Sequence, residues 1–269
     1  DNGTVRFFGP YLYRSPFHSE TLEQESQRAL EHLEQTIQLE GPTTIAAIII
    51  ETVVGTNGVL VPPPGYLQGV RDLCDRYGIV YIADEVMVGF GRLGEWFGVD
   101  AFDAKPDLIT FAKGVNSGYV PLGGVVISDR IASAFDTVPF AGGLTYSGHP
   151  LACAAGVATF EVFRRDGILE RVRDLGSRIV EPTLQGWREK HPSVGEVRGQ
   201  GLFWAVELVR SKETREPLVP FNAAGADAAP MGAFVAAAKK GGVWPFVHFN
   251  RTHIAPPLVI TDDELVDRK

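Results

Sequence analysis

Val80-Tyr81-Ile82-Ala83-Asp84-Glu85-Val86 and Asp107-Leu108-Ile109-Thr110-Phe111-Ala112-Lys113-Gly114 are the two stretches on which the fold turns. Each is an apolar run of strand length that ends on a charged residue. Runs this apolar predict strands inside a sheet covered on both faces, and ligands of open α/β sheets gather at the carboxyl ends of such strands. Outward from them the chain alternates strand and helix. Thr21 and Gln24 form a capping box ahead of a helix striped by Leu30, Leu33 and Ile37, and Gly41-Pro42 ends it. Ile45 to Ile50 reads as a strand closing on Glu51. A helix over Tyr66 to Tyr77 follows, stopped by Gly78, and Gly123 to Ser128 is a further strand. This alternation predicts crossover units and an α/β fold with a mainly parallel sheet between helices.

Past residue 165 the character changes. A helix from Pro150 to Arg165 is broken at Gly167, and another is expected over Ile168 to Lys190. Val194–Arg198 and Leu202–Val209 read as neighbouring strands around Gly199-Gln200-Gly201. Met231–Lys240 is helical, and Val243–Ile254 extended. The expected organisation is a large domain over 1–165 and a smaller C-terminal α+β domain over 166–269.

Composition sets outer bounds. The 269 residues suffice for one large core or two modest ones. With 45% hydrophobic and 22% charged residues the chain reads as an ordinary globular protein, and its net charge of −8 opposes general nucleic-acid affinity. No apolar run reaches spanning length and no signal peptide is visible, so no membrane association is expected. Cys74 and Cys153, both in helical patterns, read as buried reduced thiols of a cytoplasmic protein. The histidines lack metal-ligand spacing, so no metal is expected. The start at Asp1 and the stop at Lys269, soon after the Thr261–Glu264 capping box, give the expectation of a fragment with its last helix cut.

A lysine at a strand end is most often a surface residue whose stem covers apolar neighbours. The flanking Ala112 and Gly114, however, leave room for a bulky ring. At the end of a buried strand an amine pairs, loses its proton or forms a covalent bond. A carboxylate from a second strand end holds positive charge in the same crevice. Adjacent strand residues point in opposite directions, so only one of Asp84 and Glu85 should face it. The combination suits a carbonyl cofactor bound to lysine as a Schiff base, its ring nitrogen held by the acid.

Tyr81-Ile82-Ala83-Asp84-Glu85-Val86-Met87-Val88-Gly89-Phe90-Gly91-Arg92, Pro106 through Gly114, Gly143 through Pro150, and Pro256-Pro257-Leu258 together resemble the class III pyridoxal-phosphate aminotransferases of fold type I. The resemblance implies pyridoxal 5'-phosphate as cofactor, with Lys113 as the Schiff-base lysine and Asp84 on the pyridinium nitrogen. Val86, on the same strand side as Asp84, would pack on the ring. Thr145 matches a residue given to the cofactor phosphate of a neighbouring subunit, which implies a homodimer with shared sites; otherwise it is a turn residue before the Pro150 helix. Glu51 matches a carboxylate close to the site, or is a strand-end salt-bridge partner.

The resemblance also implies amino transfer from an amine or amino acid to a 2-oxo acid. Isomerase and decarboxylase relatives share Lys113 and Asp84, and a catalytically incompetent fragment is the alternative. The chain departs from the family in two places. It shows no Gly-rich phosphate loop before a helix, because Gly55-Thr56-Asn57-Gly58 reads as a plain turn. Where several members place a carboxylate-binding arginine, three residues before Pro256, stands His253. Arg251, on the same strand face, could reach the same place or be an edge charge. The stretch His248–His253 leans toward taurine and ω-amino-acid transaminases.

Overall fold

The computed structural model describes residues 3–267 and divides them into two compact units. The chain ends at Asp1 and Lys269, on which the fragment expectation was built, lie outside the described residues. Unit 1 comprises residues up to Val53, Pro62–Phe90 and Trp96–Arg165. Unit 2 comprises Val54–Val61, Gly91–Glu95 and Asp166 onward. Two short segments of the N-terminal half, 54–61 and 91–95, therefore pack with the C-terminal half.

Unit 1 is built on a four-stranded sheet in the order β1 (Ala47–Glu51), β2 (Val80–Asp84), β3 (Leu108–Phe111), β4 (Gly124–Ile127). The first three strands are parallel, and β4 runs antiparallel to β3. The link from β3 to β4 contains only a 3₁₀ turn over Lys113–Val115 and no crossover helix, so the strand returns alongside. Helix α1 (Leu22–Glu40) starts where its capping box predicts, Thr21 accepting from the Gln24 N–H. It is joined by α2 (Tyr66–Tyr77), which ends on a left-handed Gly78. Ala29, Leu33 and Ile37 of α1 and Leu67, Val70 and Cys74 of α2 share one core with Ile48, Tyr81 and Ala83 of the sheet. The short α3 (Gly98–Ala101) and α4 (Asp129–Ala132) follow β2 and β4, and α5 (Pro150–Arg165) closes the unit.

The sheet is not covered equally on its two faces. Pairing puts Ile48 with Tyr81, and Ile50 with Ala83 and Ile109, on the helix side. The opposite face carries the row Ile49, Ile82, Leu108, Ile127, in which Ile49 is 58% exposed. The expectation of full cover came from reading apolar runs as doubly buried. Here α1 and α2 pack on one side only.

Unit 2 is an antiparallel sheet in the order β5 (Val194–Gln200), β6 (Phe203–Leu208), β8 (Arg251–Ile254), β7 (Phe246–His248). The single extended run expected over Val243–Ile254 is a hairpin, because Phe249 adopts a left-handed φ of 54° and turns the chain. The single helix expected over 168–190 is interrupted as well. It divides into α6 (Ile168–Leu175), a π-helical stretch over Gly176–Val180, and α7 (Glu181–Lys190). Pro182 lacks an N–H and its ring crowds the carbonyl four residues back, and the wider π turn accommodates both. Gly176 also needs its missing side chain, since a Cβ there would lie 2.9 Å from the Gly201 carbonyl carbon. α8 (Ala229–Lys240) and α9 (Asp262–Asp267) complete the unit; α9 opens with the predicted reciprocal Thr261–Glu264 cap.

Candidate functional site

The carboxyl ends of β1, β2 and β3 carry one polar row. Glu51 pairs with Asp84 and Asp84 with Thr110, and facing residues of a parallel ladder point to the same side. All three therefore lie on the less covered face, one step beyond the apolar row of Ile49, Ile82 and Leu108. Glu51 and Asp84 are half-buried.

The choice between Asp84 and Glu85 is made by packing. Glu85 is fully buried on the other side. Its carboxylate accepts from Thr52 Oγ1 at 2.5 Å and from the Gly98 and Val99 N–H groups of α3 at 2.7 and 2.9 Å. Burial raises its pKa against the pull of those three bonds. Glu85 thus fastens α3 and the end of β1 to β2, with both carboxylate oxygens engaged on that side. Asp84 keeps one local bond, Oδ1 accepting from the Val86 N–H at 3.0 Å.

Val86 itself needs a correction. The strand stops at Asp84 and Val86 already belongs to a turn, so strand alternation does not set its direction. The Asp84 hydrogen bond holds it instead.

Lys113 lies three positions beyond Thr110, past the end of β3 at Phe111, where it opens the 3₁₀ turn. It sits at φ +40°, a left-handed backbone that costs a non-glycine residue of order 1 kcal/mol or more. Its side chain is exposed, contrary to the expectation that a lysine delivered there is shut off from water. The expectation borrowed cover for the second face of the sheet that the described residues do not provide. The neighbouring glycine also has a different task from leaving room for a ring. A Cβ on Gly114 would stand 3.0 Å from both the Gly89 carbonyl oxygen and Phe90 Cβ, so glycine there lets two backbones pass.

Thr145 is exposed and lies in the turn that precedes α5, within an exposed stretch that includes Phe140, Leu144, Tyr146 and Leu151. Of the two thiols expected to be buried, Cys74 is, with burial pushing it up to about 11. Cys153 is exposed, because it falls on the outer side of α5.

Arg251 and His253 lie in unit 2 on one face of β8, as strand alternation predicts. In one row Glu196, Glu207, Arg251 and His248 face each other across β5, β6, β8 and β7. The next row holds Arg198, Ala205, His253 and Phe246. Glu207 is 1% exposed and accepts from Arg198 Nη1 at 3.1 Å. His253 is buried between the Phe203 and Phe246 rings, and its Nε2 has no hydrogen-bond partner among the described residues. Desolvation, then the Arg198 and Arg251 charges and His248, hold the imidazole down to about 4, so it is neutral at pH 7. Thr110, Arg198 and His248 were not singled out from the sequence. A polar residue inside an apolar strand was the available signal for Thr110, whereas the other two are recognisable only through cross-strand register.

The donor set suits pyridoxal phosphate: a primary amine for its carbonyl, a carboxylate for its ring nitrogen and a hydroxyl for its phosphate. A family model described as aminotransferase class-III matches residues 6–268. The chain belongs to the class III aminotransferase family, and its two-unit architecture is that of fold type I. Taurine–pyruvate aminotransferase of Bilophila wadsworthia is 37% identical over 87% of this chain and 53% of its own length. The mitochondrial gamma aminobutyrate transaminase 1 of Solanum lycopersicum is 36% identical over 95% of this chain and 49% of its own. Among solved structures, taurine:2-oxoglutarate aminotransferase from Bifidobacterium kashiwanohense, in complex with PLP and glutamate, superposes with a TM-score of 0.92 at 43% identity. That match covers 98% of this chain and 58% of the other. The chain spans about half the length of the curated relatives it matches.

Proposed function

We propose that this chain carries the catalytic lysine and acid of a pyridoxal-phosphate transaminase that moves an amino group from an amine or amino acid, taurine or another ω-amino acid, to a 2-oxo acid. The observation that carries the reading is the row Glu51, Asp84, Thr110 on one sheet face with the backbone-strained Lys113 just beyond it. Strain of this kind persists where the surrounding structure imposes it, and it concentrates at sites of chemistry. The donors named in the similar proteins, taurine and gamma aminobutyrate, support the substrate class.

Bound, pyridoxal phosphate supplies a carbonyl that condenses with amines and a ring that accepts an electron pair. Lys113 Nζ would hold the cofactor through its carbonyl and, when free, would be the base that moves the proton at the carbon bearing the substrate nitrogen. Asp84 would hold a proton on the ring nitrogen, since its carboxylate favours a positive charge there. Val86, tied to Asp84 through its N–H, supplies an apolar contact for the ring, and Glu51 flanks Asp84 in the same row. His253 and Arg251 of β8 are the candidates for substrate recognition in this reading.

Thr145 on a neighbouring copy serves the phosphate in this reading, so the working unit is a homodimer. Exposed apolar side chains around Thr145, Leu144 at 81% and Tyr146 at 79%, support an interface there. The free thiols of Cys74 and Cys153 support a reducing, cytoplasmic setting. No helix among the described residues is long and apolar enough to cross a membrane.

Borohydride reduction of the protein mixed with pyridoxal phosphate, followed by peptide mass mapping, tests the assignment. The mass of the reduced cofactor should appear on the peptide bearing Lys113. Labelling spread over surface lysines, with none preferred, would defeat it.

A further inference from the structure

The turn Gly55-Thr56-Asn57-Gly58 faces the charged side of the unit 2 sheet with its carbonyl edge. Its three last carbonyl oxygens are each met by a basic side chain from a different strand. His248 Nδ1 lies 2.9 Å from the Thr56 oxygen, and since a carbonyl can only accept, that nitrogen carries the hydrogen. Arg251 Nη1 donates to the Asn57 oxygen, and Arg198 Nε donates to the Gly58 oxygen at 2.7 Å. The turn closes on itself through the Gly58 and Val59 N–H groups, both donating to the Gly55 oxygen, and the flanking Val54 and Leu60 exchange a pair of backbone bonds. Gly58 has φ +122°, and a Cβ there would stand 2.8 Å from Arg198 Nη2 and 2.9 Å from Arg251 Cδ. Side-chain-free backbone, left-handed φ and three donors coincide at this one turn.

We propose that Arg251 is a positioning residue: with Arg198 and His248 it clamps the carbonyl edge of turn 55–58, and the guanidinium serves that clamp rather than a substrate carboxylate. The same side chain lies over the Phe249 ring, its Cζ 5.5 Å from the centroid, which further fixes its direction. Arg198 is held from behind by Glu196 and Glu207, so the clamp is charge-balanced across β5 and β6. The inference rests on the proposed reading of β8 as the recognition strand. It leaves His253, neutral and with a buried Nε2 that has no hydrogen-bond partner among the described residues, as the remaining candidate on β8.

Two cofactor-free readouts on the full chain test this. The first is amide hydrogen exchange at Gly58 and Val59. Arg251→Gln, Arg198→Gln and Gly58→Ala should each speed exchange there by about tenfold or more, the equivalent of one lost hydrogen bond, while Arg251→Lys restores most of the protection. The second is the His253 imidazole titration followed by NMR. The charged and titratable groups on its face are Arg198, Glu196, Glu207, Arg251 and His248. Removing positive charge with Arg251→Gln should move the His253 midpoint upward, and Arg251→Lys, which keeps the charge, should leave it in place. The Gln-against-Lys split reads the charge that the clamp holds beside His253, apart from any loss of packing. Unchanged turn exchange in Arg251→Gln, together with weakened retention of 2-oxoglutarate by the cofactor-loaded protein, would overturn the proposal. Failure of pyridoxal phosphate to label Lys113 bears on the proposed function alone, since neither readout involves the cofactor.

Discussion

Replacing His253 by Gln should remove a pH-dependent part of the stability whose size follows from the burial of the imidazole. The residue is 8% exposed, its ring lies against Phe246 and Phe203, and it shares its sheet face with two guanidinium groups. These hold its folded pKa near 4, against 6.5 for an unperturbed histidine. The unfolded chain thus binds more protons than the folded one between those values. The contribution is complete above about pH 6.5, is lost as pH falls through that window, and is flat below about pH 4. At 1.36 kcal/mol per pH unit, the loss between pH 7 and pH 4.5 amounts to about 2.5 kcal/mol. The assay is urea unfolding of the native protein and His253→Gln at both pH values, read by tryptophan fluorescence and circular dichroism. Carboxylates common to both proteins cancel in the difference. The stability advantage of the native protein over the variant should shrink by about 2.5 kcal/mol on acidification. A difference that stays constant, or an imidazole C–H resonance titrating near 6.5, would refute the reasoning.

Lys113→Gly should abolish pyridoxal phosphate labelling and yet raise stability by about 0.5–1 kcal/mol, because glycine tolerates the left-handed backbone that lysine is forced into; thermal melts beside the borohydride assay check both halves. Asp84→Ala should still take the label on Lys113 but lose about 10²-fold or more in exchange of the substrate's α-proton with deuterated water; near-normal exchange would count against its role. Glu85→Ala, on the opposite side of the same strand end, strands the Thr52 hydroxyl and two α3 N–H groups, and should cost about 3 kcal/mol or more by chemical denaturation. Cys153 should react with a thiol reagent within the mixing phase and Cys74 only on unfolding, since one is exposed and the other is a buried, high-pKa thiol.

Local signals carried most of the fold. The Thr21–Gln24 and Thr261–Glu264 boxes, the stripe of α1 and the stop at Gly78 depend on neighbours a few residues away, so they are legible in the chain itself. Pairing β4 antiparallel to β3, interrupting the helix ahead of Pro182 and folding 243–254 into a hairpin are choices among arrangements that local pattern permits equally. Non-local packing makes them.

The candidate site divides in the same way. Which residues to propose for the chemistry was readable from the sequence, because the acid and the lysine end apolar strands within one long motif. Which side of the strand each occupies was not. Only the packed structure commits Glu85 to the α3 N–H groups and leaves Asp84 on the face shared with Glu51 and Thr110. Only the register of β5 to β8 joins Arg198, His248 and Arg251 on one turn, residues separated by as many as 53 positions along the chain. Alternation along a strand predicts which residues share a face with one another. What that face meets is set by contacts between distant segments, and those exist only once the chain has folded.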